Sequence, residues 1–115
     1  MEFEELQEKV LGWADSHDLL HEENADKQFM KFIEEVFEFK TEYDFIKDIK
    51  EKKRICLYRN MQLEMGDVFV TLIILCKQLG IEPQYCLKEA YEKIKDRKGE
   101  TRNGMFYKAE DLDER

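Results

Sequence analysis

FIEEVFEFKTEYD, residues 32–44, decides the reading of this chain. Its apolar residues recur at helical spacing, as on a buried face, yet Glu34, Glu35, Glu38 and Glu42 run through the same stretch. Carboxylates are rarely taken out of water unless something positive meets them. Glu35 and Glu38, three residues apart, share a helix face and fall at the edge of the apolar arc. EMGD, residues 64–67, repeats that spacing with Glu64 and Asp67, where a second helix turns from polar to wholly apolar. Two antiparallel helices bring the pairs together around one point. Four carboxylates there cannot all stay ionised unaided, because like charges raise one another's pKa. A hard divalent cation, Mg²⁺ or alternatively Mn²⁺, takes oxygen ligands and resolves the conflict. Open sites of that kind commonly serve phosphate substrates. A single Glu-x-x-Glu reads as a solvated face; the weight lies in two such pairs, each beside apolar surface.

Outward from that stretch, the pattern predicts an all-α chain of four helices with a small C-terminal β-hairpin. Helix 1 covers residues 2–15, with Phe3, Leu6, Val10, Trp13 and Ala14 on one face. A polar connection, 15–26, offers Asn24 or Asp26 as N-cap. The second helix, 26–47, carries an apolar arc too wide for one neighbour, so contacts on two sides are expected. KDIKEKKRICLYRN, 47–60, is basic and fits a short helix or a loop equally. The third helix, 59–79, ends at Gly80 and is apolar nearly all round in VFVTLIILC, 68–76, so it is central. Its covering asks for more helices than the chain comfortably supplies, which points to a second subunit. Pro83 opens the fourth helix, 83–97, with Gly99 placed to stop it. Asn103-Gly104 is a strong hairpin signal.

A length of 115 residues fits one domain, 1–115, with a core that needs no disulfide or structural metal. The formal charge is −8, and residues 1–46 hold 14 acidic against 4 basic side chains. An acidic front half disfavours sequence-independent nucleic-acid binding. Cys56, Cys76 and Cys86 form no CxxC pair and read as reduced structural thiols of a cytoplasmic protein. The N-terminus MEFEE is no signal peptide, and the longest apolar run is far short of the ~20 residues of a membrane span. His17 and His21 stand four apart but have no third ligand in reach for zinc.

The ordered set Glu35-x-x-Glu38, residues 39–63, Glu64-x-x-Asp67 resembles the signature of the MazG-type all-α nucleoside triphosphate pyrophosphohydrolases. KFIEEVFEF (31–39) is similar to that family's K-L-x-E-E-x-x-E-L helix, and MGDVFVTLIILCKQLGI (65–81) to its Gly-Asp-hydrophobic helix. EAYEKIKDRKGE (89–100), NGMFYKAED (103–111) and WADSHDLL (13–20) resemble the tail and the Trp-Ala segment of MazG-like proteins of phages and Firmicutes. The likeness spans roughly residues 10–111. Phe37 stands where the family typically has glycine, and Glu92 where it often has asparagine.

The resemblance implies hydrolysis of an NTP or dNTP between the α and β phosphates, giving a nucleoside monophosphate and pyrophosphate, in nucleotide-pool cleaning. It implies Mg²⁺ held by Glu35, Glu38, Glu64 and Asp67, with Glu34 orienting water or supporting the site, and a homodimer or homotetramer. Lys31 is then a phosphate contact or an i,i+4 ion-pair partner. Lys93 and Arg97 are candidates for the outer phosphates. Trp13 is either a base-stacking aromatic or part of the core. The competing expectation is a non-catalytic helical regulatory module that retains the fold; a third is a pyrophosphohydrolase of a non-nucleotide substrate.

Overall fold

Within VFVTLIILC, Thr71 and Ile73 to Cys76 are buried, whereas Phe69 is 45% exposed. The structure, a computed structural model, describes residues 1–49 and 51–113, the side chains of 51–56 and 113 excepted. The described elements are α1 (Phe3–Ser16), a 3₁₀ turn (Glu22–Asn24), α2 (Ala25–Lys47), α3 (Glu51–Leu79), α4 (Pro83–Ile94), β1 (Gly99–Arg102), β2 (Met105–Lys108) and α5 (Ala109–Asp113). They fall into two compact units, Met1–Glu82 and Pro83–Arg115. None of the described helices is long and apolar enough to cross a membrane.

In the first unit α2 and α3 pack along each other, and the short link between Lys47 and Glu51 makes them antiparallel. Thr71, Ile73, Ile74, Leu75, Cys76 and Gln78 are buried on α3, as are Ala25 near the start of α2 and Ala14 of α1. Polar ties hold the same end: Gln28 Nε2 donates to the Thr71 carbonyl at 3.2 Å, and Gln78 Nε2 to the Leu19 carbonyl at 2.8 Å. Helix α1 stops in a Schellman-type turn. Asp18 takes φ 59, and the Leu19 amide reaches back to the Ala14 carbonyl at 3.0 Å. Gly80 (φ 73) ends α3 the same way, with the Ile81 amide on the Cys76 carbonyl at 2.9 Å.

The second unit is α4, a two-stranded antiparallel hairpin and α5. Asn103 and Gly104 both take positive φ, 51 and 79, as a type I′ turn requires. The register pairs Gly99 with Lys108 and Arg102 with Met105. The Ala109 amide then donates to the Lys98 carbonyl at 2.8 Å, so α5 starts directly from the hairpin.

The structure revises several expectations. Residues 51–60 are helical, so α3 begins well before 59 and the basic stretch is mostly its first turns. Helix α4 ends at Ile94, about a turn early, and Gly99 is a strand residue rather than a helix stop. A Cβ at Gly99 would lie 2.0 Å from the Tyr107 carbonyl oxygen, so the strands approach too closely for any side chain there. The tail also contains α5, which its short acidic sequence did not announce. Asn24 is the α2 N-cap by position, but its side chain makes no capping bond. Among the described residues of the first unit, Phe29, Met30, Ile33, Val36 and Phe37 of α2 remain exposed, Phe37 at 67%, so contacts on two sides are not seen there. Trp13 is 53% exposed in the single chain. Of the cysteines, Cys76 is buried and Cys86 exposed, while the Cys56 side chain lies outside the described residues.

Two stability measurements check this packing. Ile74→Ala should lower the urea-unfolding free energy by ~3 kcal/mol, the usual loss for an Ile truncated in a core. His21 Nε2 meets Asp18 Oδ1 at 2.5 Å, and that hydrogen bond, with the Asp18 charge, raises the imidazole pKa. A raised folded pKa gives stability that is complete below the unfolded value of about 6.5 and is lost as pH climbs through the folded one. His21→Asn should therefore flatten the decline of the unfolding midpoint on the alkaline side of about pH 6.5.

Candidate metal centre

The α2–α3 packing brings the predicted carboxylates together at mid-length of the pair. Glu35 faces α3 and is 7% exposed; Glu64 is half-buried and Asp67 exposed on the facing helix. One carboxylate oxygen from each of Glu35, Glu64 and Asp67 lies within 4.8 Å of the others. Glu38 is outside this trio but next to it. It is exposed and shares a hydrogen bond with Glu35. That bond, then the Glu35 charge, holds the Glu38 carboxyl above the usual carboxylate range, with Glu64 and Glu34 adding smaller repulsions.

Among the described residues, a single ammonium serves this group. Lys31 Nζ is 3.2 Å from Glu35 Oε1 and 3.8 Å from Glu34 Oε2, and the hydrogen bond to Glu35 raises the lysine pKa. The i,i+4 geometry of a helix accounts for the pairing. Glu35 Oε2 and Glu64 Oε2 are both buried and have no hydrogen-bond partner. Acidic clusters are common at surfaces; buried carboxylate oxygens without a donor are not. These oxygens fit a hard cation: the donors are all oxygen, they converge, and two of them lack any other partner.

Gly66 sits between Glu64 and Asp67, inside a helix where glycine costs ~0.5–1 kcal/mol relative to alanine. A Cβ there would meet nothing within 4 Å. No neighbour in the chain therefore requires the glycine, and the open surface lies beside the carboxylates.

The other predicted residues are distributed as follows. Glu34 is exposed and lies 3.8 Å from Lys31 Nζ, and Glu42 is half-buried. Lys31 is engaged as the ion-pair partner. Trp13 borders a cleft of about 360 Å³ between α1 and α3, with Leu6, Lys9, Val10 and Val70. Its indole also packs on His17, ring centroids 4.6 Å apart. Lys93 and Arg97 do come together, in a cavity of about 390 Å³ within the second unit, joined by Lys98 and Lys108 with Asp96 and Glu110. Lys98 and Lys108 were not singled out from sequence; the hairpin register, which sets Lys108 opposite Gly99, is the signal that places them together.

Compared with known proteins, the chain matches no family model, no curated protein and no solved structure.

Two variants test the centre. In EDTA, Glu64→Gln should raise the unfolding free energy by ~1 kcal/mol, because it removes a like charge and offers Glu35 Oε2 a donor. The same variant should lose the rise in melting temperature that Mg²⁺ or Mn²⁺ gives the parent protein. Gly66→Ala should stabilise the protein by ~0.5–1 kcal/mol, read in urea without metal.

Proposed function

We propose that the protein is a Mg²⁺-dependent nucleotide pyrophosphohydrolase, cleaving an NTP or dNTP to the monophosphate and pyrophosphate. The observation that carries this reading is the convergence of Glu35, Glu64 and Asp67 with two buried, partnerless carboxylate oxygens among them. The sequence resemblance described above assigns the same residues, with Glu38, to Mg²⁺.

Glu35, Glu64 and Asp67 would hold the metal, with Glu38, exposed beside them, completing the set. Bound Mg²⁺, or Mn²⁺ in its place, neutralises phosphate charge and makes water more acidic. The protein's part is positioning and charge placement, the main requirement of in-line displacement at phosphorus. Lys31 fixes the orientation of Glu35 and leaves one of its oxygens to face the centre. Glu34 lies at the solvent side of the same helix turn, suited to orienting an attacking water. Trp13 offers a half-exposed ring for the base.

The proposal includes a homodimer or homotetramer in the cytoplasm, engaged in clearing nucleotides. The uncovered side of α2, with Phe29, Met30, Ile33, Val36 and Phe37, supports assembly through helix faces. Light scattering should return at least twice the chain mass of 14.0 kDa; a monomer would contradict this part.

A pyrophosphate-release assay over a full NTP and dNTP panel tests the activity. Release should require Mg²⁺ or Mn²⁺ and stop with EDTA. Glu38→Gln and Asp67→Asn should each reduce turnover to background while circular dichroism stays unchanged. Full activity in both variants would overturn the reading.

A further inference from the structure

Lys9 is one of four cations in the acidic first 46 residues. Glu5 stands four residues before it, the favourable order for an ion pair on a helix. Among the described residues, however, Lys9 makes no ion pair or hydrogen bond. It borders the α1–α3 cleft instead, where Leu6, Val10, Trp13 and Val70 supply the remaining lining and Lys9 is the sole charge. Val70 is one helical turn beyond Asp67 on α3, so the cleft adjoins the carboxylate centre within the same unit.

A cleft of about 360 Å³ with apolar walls and an indole suits a planar ring. Stacking on tryptophan is tolerant of base identity, because every base has a π-face. Discrimination must come from the polar group present. A lysine ammonium has three donors and no acceptor. It matches a purine edge that presents O6 and N7, both acceptors, and mismatches one that presents an exocyclic amino donor at position 6. Beside apolar walls such a charge-assisted bond is stronger than in open water.

We propose that Lys9 is a specificity-determining residue that selects 6-oxo over 6-amino purines in this cleft. The inference rests on the nucleotide reading above and adds the class of base to it.

The test compares the full-length protein with Lys9→Met, which keeps the apolar stem and removes the donor. In the pyrophosphate assay the parent should favour GTP and ITP over ATP by about tenfold or more in kcat/KM, the value of one charged hydrogen bond. ITP separates the O6 contact from the guanine 2-amino group. In Lys9→Met the GTP/ATP and ITP/ATP ratios of kcat/KM should fall to within about twofold of unity, since the O6 contact is lost. A retained preference, or an equal loss on all three that would place Lys9 on phosphate, overturns the inference. A readout free of turnover is quenching of Trp13, the single tryptophan, by GMP and AMP in EDTA. GMP should bind about tenfold more tightly than AMP, and only with Lys9 present. If no triphosphate is hydrolysed but this difference persists, the hydrolase reading falls and the cleft assignment stands. If hydrolysis proceeds with no Lys9-dependent preference, the reverse holds. Quenching by neither nucleotide, with no base preference in turnover, defeats the assignment.

Discussion

Three carboxylates converge on one point of the α2–α3 pair, and among the described residues an ammonium meets only Glu35. That uncompensated charge is the constraint around which the first unit is arranged. Lys31 pairs with Glu35 and, outside the trio, reaches Glu34 at 3.8 Å, so among the described residues neither Glu64 nor Asp67 has a cationic partner. The arrangement is held against its own repulsion by the apolar end of α3. Thr71 to Gln78 is packed by α2, α1 and the 3₁₀ turn, and tied down by Gln28 and Gln78. Burial in that segment and charge at the centre are two halves of one design, since a site of this kind gives up local stability for binding.

The same opposition explains the placement of the residues. Glu35 is buried because it lies on the face of α2 that must meet α3; Glu34 and Glu38, on neighbouring angles, stay in solvent. Asp67 lies toward the surface and Glu64 deeper, so the centre grades from buried to open. A centre closed on all sides would exclude a substrate, and one wholly exposed would leave its carboxylates to water.

Much of this was legible in the sequence. The paired Glu-x-x-Glu and Glu-x-x-Asp spacings predicted convergence because helical geometry fixes which residues share a face. Asn103-Gly104 predicted the hairpin because two adjacent positive φ angles suit few other residues. What escaped notice depended on context. KDIKEKKRICLYRN is dense in charge and lacks a clean period, so only continuity with the rest of α3 marks its residues 51–60 as helical. Trp13 continues an apolar face on α1, but α3 covers only part of that face. Lys9 resembles any surface lysine until the cleft beside it is seen. Gly99 looked like punctuation and proved to be a point of close strand approach, which no single-strand pattern encodes.

The short link between Lys47 and Glu51 has a kinetic consequence. A helical hairpin closed by so few residues incurs little loop entropy and can zip from its closed end, the regime of fast, low-contact-order folding. Zipping brings Glu35 against Glu64 and Asp67 about halfway along, before the strongly apolar stretch beyond Val70 has docked. The carboxylates are thus a barrier met early, and Ile73, Ile74 and Leu75 are the downhill step beyond it. An ion present during folding would lower that barrier as well as occupy the finished site.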